Sequence, residues 1–565
     1  MSLRLLSAAL AVGIGLVGPA VGASAAVAVE SARPVHVAIA VPITVPANSG
    51  SLISADALEQ YTSPMGTLSR QLDAAIDRPV ALGIDPRIIV SIRILGSSAP
   101  MTATAWLERL AGASNDTFPL AYADSDLTLA TQAGSATVLE SDGFDFAIDP
   151  ALFAESSATG TPTPAPSGPP GISPPPSPTS TEPVDPVTPA LPTSDDLVAW
   201  PFSLTGIAWP VDATAIASDL PVITASGYST TILSSRNLAR DPGAGALADV
   251  GGSRVLVSED SVSTPLATAI RSTTATDFQA DVSEMSAAIA AAGVAQSGST
   301  ATLFATLDRT ALLAGNRLSD AIAAMQTNPN VTMVSMATAL VGASATATVI
   351  DQPRPTERVA LMRQLLEAQA AESQFASIAS DPRAITSARR LELLALTAGS
   401  WNDNPTGWPV AVAEGLAASL ELRSSVQVAS TGDFNFLAAE APLPIAVTNN
   451  LDQAVTVFVT VRPDTGLLSV GDSRVELLIE PDSQASAKIP AQAVSNGVVG
   501  VTVSLSSATG VPIGDVSRAS INVQAGWETP VVIVIASIVV AVFGGGVVRN
   551  ILRLRKGAAM RGTSA

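Results

Sequence analysis

The sequence predicts a multidomain chain: an α/β domain of β/α-barrel type, a helical connector, an all-β immunoglobulin-like sandwich and one C-terminal transmembrane helix. Three observations carry this reading. Short apolar segments alternate with helix-like runs from about Val35 to Leu340. A period-two alternation of apolar and polar residues fills about Ser424–Ala525. Then Pro530–Val548 runs for 19 residues without a charge. Strand–helix alternation builds parallel sheets with crossover helices. Period two marks half-buried strands, and 19 apolar residues can cross a bilayer.

Composition narrows the chemistry. The 565 residues include no cysteine and one histidine, His36. Disulfides, thiolate metal sites and thiol nucleophiles are therefore excluded. A His-dependent metal hydrolase or a Ser-His-Asp triad has almost no material to work with. Lys plus Arg is 29 against 49 Asp plus Glu, a net charge of −20. A chain this acidic repels phosphate backbones, so no nucleic-acid partner is expected.

The elements follow in order. Residues 1–25 have the parts of a secretory signal: Arg4, the apolar run Leu5–Val17, and the small-x-small pattern Ala23-Ser24-Ala25. Residues 35–340 form the barrel-like domain. Its candidate strands are His36–Thr44, Pro79–Asp85, Thr117–Asp124, Asp196–Pro201 (or Gly206–Pro210), Tyr228–Ser234, Ser253–Glu259, Ala301–Asp308 and Val331–Met336. Helix-like runs lie between them at Ala55–Ile76, Thr102–Ala111, Phe278–Ala292 and Ala311–Met325. About eight strands in this length point to a closed or nearly closed barrel, with an open doubly wound sheet as the alternative. Within this domain, residues 156–192 hold 13 prolines and 12 Ser or Thr. Such a segment buries too little apolar surface to fold.

Residues 356–422 read as helical. Leu361 with Leu365, and Met362 with Leu366, recur at i, i+4. Residues 424–525 carry the sandwich, as in Ala454–Val461, where Val455, Val457, Val459 and Val461 fall on one face. The span at 530–548 is followed by a basic tail, 549–565, with Arg549, Arg553, Arg555, Lys556 and Arg561. By the positive-inside rule the tail is cytoplasmic and the remainder extracytoplasmic. Trp527 stands where an interfacial aromatic belongs. Without the signal and tail, 23 basic residues face 49 acidic ones, so the exported part carries −26.

This order of parts, with the phrases Gly83-Ile84-Asp85-Pro86, Trp209-Pro210, Ala225-Ser226-Gly227-Tyr228 and Pro444-Ile445-Ala446-Val447-Thr448-Asn449-Asn450-Leu451-Asp452-Gln453, resembles an actinobacterial family of single-pass membrane proteins of unknown function. Members are often encoded beside the lipid II flippase of the MurJ/MviN type. The resemblance implies a cell-envelope role in the cell membrane and brings no catalytic residues with it.

Chemistry in a β/α barrel sits at the C-terminal ends of the strands. Acids recur there, and Asp85, Glu259 and Asp308 are the candidate catalytic residues, with Asp124 and Asp260 beside them. Asp149 closes a second Ile-Asp-Pro. Two convergent carboxylates would serve as acid and base, or acid and nucleophile, in glycoside hydrolysis. Trp200 and Trp209 are placed near the same rim, where they could stack on sugar rings. The competing role for each acid is to cap the helix that follows. No G-x-G-x-x-G or G-x-x-x-x-G-K-[ST] motif opens a helix, so no cofactor is expected, and no metal either. The preferred reading is a non-catalytic envelope binding or scaffold factor, whose partner is a cell-wall-synthesis membrane protein or a cell-wall glycan. The alternative is a membrane-anchored, carboxylate-dependent glycan hydrolase.

Overall fold

The computed structural model describes residues 34–153, 191–211, 213–241, 243–295, 301–429, 434–471, 474–524 and 528–559. The expected signal, almost all of the Pro/Ser/Thr-rich segment, Trp527 and the last six residues of the tail lie outside them. The chain is a multidomain α/β protein with a mixed sheet, two further β-sheets in its C-terminal region and one C-terminal apolar helix.

Among the described residues, the mixed sheet has eleven strands. They are β1 (Val35–Ile43), β2 (Ala81–Ile84), β3 (Thr117–Pro119), β4 (Ile207–Ala208), β5 (Thr230–Ser234), β6 (Leu238–Arg240), β7 (Leu247–Val250), β8 (Ser253–Ser258), β9 (Ala301–Thr306), β10 (Val331–Met333) and β11 (Ala345–Val349). From β1, parallel pairing runs through β2 to β3 on one side. On the other it runs through β9, β8 and β5 to β4. The two ends come together: the Leu204 N–H donates to the Thr117 carbonyl at 2.9 Å, and the Thr117 N–H donates to Ser203 Oγ at 2.8 Å. Ala38, Ala40, Ala81, Phe118, Trp209 and Phe304 pack in one core inside this ring. Small residues face large ones there, which lets the layers interdigitate. Gly83 shows how tight the fit is: a Cβ would lie 2.9 Å from Phe118 Cζ.

Some expected elements differ. The segment Asp196–Pro201 does not form a strand; Ser194–Val198 is a helix started by a capping box between Thr193 and Asp196. The alternative segment, Gly206–Pro210, holds β4. The run Ala55–Ile76 is two helices, Ala55–Thr62 and Thr67–Ala75, because Pro64 cannot continue a hydrogen-bonded turn. The expected strand Thr117–Asp124 stops at Pro119, and Ala123 and Asp124 take left-handed conformations (φ 59° and 48°). Strand β10 does not insert beside β9. It pairs with the first three residues of the β1 edge whose last four pair with β2. Strands β6, β7 and β11 form an addition on β8.

Helices Thr356–Ala376, Pro382–Leu396 and Gly407–Ser424 follow. Met362, Leu391, Leu394 and Trp408 bury their side chains against Val90, Tyr122 and Leu129 of the first unit. At their other end, Phe375 and Ile378 enter the core of the C-terminal sheets. Those sheets comprise β12 (Val426–Val428), β13 (Phe434–Phe436), β14 (Glu440–Asn449), β15 (Val455–Pro463), β16 (Leu468–Val470), β17 (Val475–Ile479), β18 (Ser483–Ala493), β19 (Gly497–Ser506) and β20 (Pro512–Val523). One sheet has the order β12-β14-β18-β16, the other β13-β20-β19-β15-β17. Val455, Val457, Val459 and Val461 are buried between them with Ile445, Val447 and Val503. The helix Glu528–Ala559 contains the apolar stretch Val531–Arg553, long enough to cross a membrane, with none of its hydrophobic surface covered by the rest of the chain.

Candidate functional site

Polar side chains collect at the C-terminal ends of the parallel strands. Asp85 follows β2 and caps the helix Pro86–Ile94. Its Oδ1 accepts from the Arg87 N–H at 2.9 Å and the Ala123 N–H at 2.8 Å. The side chain is 1% exposed. Burial pushes its carboxyl up to about 7, against the pull of Arg87, and Asp124 adds to the rise. Arg87 turns the other way. It donates to Asn48 Oδ1 and the Gly50 carbonyl.

Asp124 follows β3 and is held by Arg309, which follows β9. Arg309 Nη2 lies 3.0 Å from Asp124 Oδ1 and its Nε 3.1 Å from Oδ2. Nη2 also donates to the Trp209 carbonyl at 2.7 Å. The guanidinium carbon sits 4.3 Å from the centroid of the Trp209 ring. Both partners are buried, so the pair is worth little net stability, but losing one member strands a charge. The helical unit closes over them. The Asp126 N–H donates to the Thr397 carbonyl at 2.8 Å. A Cβ on Gly399 would come within 3.2 Å of Asp124 Oδ2.

Glu259 and Asp308 have separate partners. Glu259 follows β8 and pairs with Arg240, the last residue of β6. Asp308 pairs with Arg271 at the end of the helix Asp260–Arg271, and accepts from the Thr310 N–H at 3.0 Å and its hydroxyl at 2.7 Å. Burial raises the Asp308 carboxyl, but the hydrogen bonds from Thr310 and Arg271, with the Arg271 charge, outweigh it and hold the group below its usual range. Asp260 pairs with Arg236 at 3.0 Å. Asp149 is exposed and caps the turn Pro150–Leu152. Among the described residues, no hydrogen bond or ion pair joins any two of Asp85, Glu259 and Asp308. The acid that acts electrostatically on Asp85 is Asp124.

The two tryptophans separate. Trp209 is buried inside the ring, and Trp200 lies on the outer helices, 5.7 Å from Arg93. Trp200 lines a cleft of about 350 Å³ with Leu107 and Glu108. A larger cleft, about 920 Å³, opens between the connecting helices and strands β12 and β20, lined by Phe375, Leu420, Arg423, Gln427 and Val516 among others. Among the described residues, no three His, Cys, Asp or Glu side chains are grouped to hold a metal. The arginines are what reading for acids misses. Their one signal in the sequence is that Arg309 directly follows a strand-end aspartate, Asp308.

A family model described as a family of unknown function (DUF6049) matches residues 21–559. No curated protein sequence matches the chain. Among solved structures, the chain is similar to the alpha-amylase AmyC from Thermotoga maritima, at 9% identity and a TM-score of 0.41, over 69% of this chain and 93% of that one. It is similar over 18% of its length to the native alpha-2-macroglobulin of E. coli, at 19% identity and a TM-score of 0.15, spanning only 7% of that protein. The periplasmic chaperone SfaE is similar over 18% of this chain and 56% of its own, at 12% identity and a TM-score of 0.14. These likenesses carry no functional argument.

Proposed function

Since the chain belongs to this family of unknown function, we propose its role from its own architecture: a membrane-anchored, extracytoplasmic, non-catalytic binding or scaffold factor of the cell envelope. The carrying observation is the state of the carboxylates. Glu259 and Asp308 are each neutralised by an arginine. Asp85 is sealed beneath backbone N–H groups. A glycosidase needs two carboxyls facing one sugar across open space. Here the mouth of the parallel sheet is crossed by Asp124, Arg309 and Trp209 and roofed by the connector.

In this reading the first unit is a β/α barrel turned to structural use, and the C-terminal sheets are an immunoglobulin-like stalk before the span. The N-terminal signal is cleaved, the body stands outside, and the basic tail is cytoplasmic beside anionic lipid. The partner is a cell-wall-synthesis membrane protein or a cell-wall glycan, and the cleft between connector and stalk is the surface offered to it.

The test is crosslinking in intact cells of origin, followed by purification of the full chain, with the same preparation incubated with cell-wall glycan. Recovery of a wall-synthesis membrane protein or of intact bound glycan is the expected outcome. Glycan cleavage that disappears in Asp85→Ala, Glu259→Ala or Asp308→Ala would overturn it in favour of the hydrolase.

A further inference from the structure

The C-terminal helix Glu528–Ala559 runs on past its apolar stretch without a break, so the first charges beyond that stretch are ordered on a helix surface. Arg549 and Arg553 stand at i and i+4, on one face and about 6 Å apart along the axis. At about 100° per residue, Val542 and Gly546 share an arc of about 60° with them. A cleft of about 400 Å³ lies along this face, lined by Val542, Phe543, Gly546, Arg549, Asn550 and Arg553 among others. Gly546 opens it: a Cβ there would meet nothing within 4 Å. The other sides of the same turns carry Val548, Ile551 and Leu552, all apolar and exposed. The two arginines are therefore gathered on one side, a turn beyond a gap in the apolar surface.

The chain supplies no acid to answer these charges. Glu528 is the last acidic residue, and it stands at the far end of the apolar stretch. No other part of the chain covers this helix. At the charged end of a membrane span the available acceptors are lipid phosphates. A guanidinium suits them, because it donates two parallel N–H groups to one oxyanion. A zwitterionic headgroup brings a cation of its own. Two unanswered arginines on one face call instead for a headgroup that is anionic overall.

We propose that this cleft binds one anionic glycerophospholipid of the adjoining leaflet. Arg549 and Arg553 hold its phosphate, and the Asn550 amide serves the polar atoms of the headgroup. The start of an acyl chain lies against Val542 and Phe543, in the space that Gly546 leaves. This differs from a general attraction of basic residues to a lipid surface, because it needs the gap as well as the charge. It rests on the reading of this helix as a membrane span, and no part of it depends on a wall partner.

The experiment reconstitutes the full chain in vesicles of phosphatidylcholine with a minor share of phosphatidylglycerol of the same acyl chains. Alkaline carbonate extraction tests the span first: release of the chain from the vesicles overturns the span, and the site with it. Chain that stays is dissolved in an uncharged detergent, and the retained lipid is counted by native mass spectrometry. One phosphatidylglycerol per chain is expected, enriched about tenfold or more over its share of the vesicle lipid. Arg549→Gln and Arg553→Gln should each lower that enrichment about fivefold, and the double variant should abolish it. Gly546→Leu keeps both charges and fills the gap, and should lower the enrichment several-fold. Equal retention of the two lipids, or enrichment unchanged in the double variant, overturns the site while the span stands. Enrichment unchanged in Gly546→Leu overturns it too, in favour of diffuse charge attraction.

Discussion

Replacing Asp85 with Asn separates its charge from its capping role. The amide oxygen still accepts from the Arg87 and Ala123 N–H groups, and side-chain volume is nearly unchanged. What disappears is a carboxyl raised from 3.8 to about 7 by burial. The folded state therefore binds the proton more tightly than the unfolded chain. Stability from this group is complete below about pH 4 and is lost as pH rises towards about 7. A shift of about 3 units corresponds to about 4 kcal/mol in total, of which about 3 kcal/mol falls between pH 5 and pH 8. The wild type should lose that much relative to Asp85→Asn over this range. Amide exchange of peptides covering Ala81–Ile94 reads the local opening free energy in both proteins at each pH, so intrinsic exchange rates cancel. A difference between the two that stays constant from pH 5 to pH 8 would refute the assignment of a buried, protonatable Asp85.

Three further outcomes follow from the same geometry. Arg309→Leu and Asp124→Leu should each cost about 3–5 kcal/mol, because each leaves a buried charge alone, while the double variant should cost far less than the sum; additive losses in chemical denaturation would show that the two are not coupled. Asn449→Ala should destabilise the C-terminal sheets by about 1–3 kcal/mol, because the Asn449 amide donates to the Gln453, Ile479 and Glu480 carbonyls; faster exchange confined to β14 and β15 checks it. The absence of cysteine makes topology simple to map: a membrane-impermeant maleimide should label Asp515→Cys in intact cells, and Gly557→Cys only after permeabilisation, with the reverse pattern refuting the proposed orientation.

Much of the secondary structure is legible because burial and period coincide. In β15 every second residue from Val455 to Val461 is a valine and each of those is buried. β1, buried along almost its whole length, reads as the continuous apolar run of a parallel strand. Less legible are elements decided by contacts distant in sequence. β6 and β11 are short, and their register depends on each other and on β7. The helix Ser194–Val198 was hidden by the same apolar residues that suggested a strand; its capping box, Thr193 with Asp196, was the available signal. At the sheet mouth, the Gly-Ile-Asp-Pro phrase locates a strand end and a helix cap correctly, since a cap is a local event. It does not say whether the carboxyl faces solvent.

That distinction decides how strand-end acids should be read in this chain. Asp85 caps the helix that follows its strand, and burial of that cap requires an answer to its charge. Asp85 answers with a raised pKa, Asp124 with Arg309, and Asp308 with Arg271. For Asp124 and Asp308, picking out acids therefore selects one half of an ion pair. The charges at this face are accordingly engaged within the fold, Arg309 with Asp124 and Arg354 with Asp126.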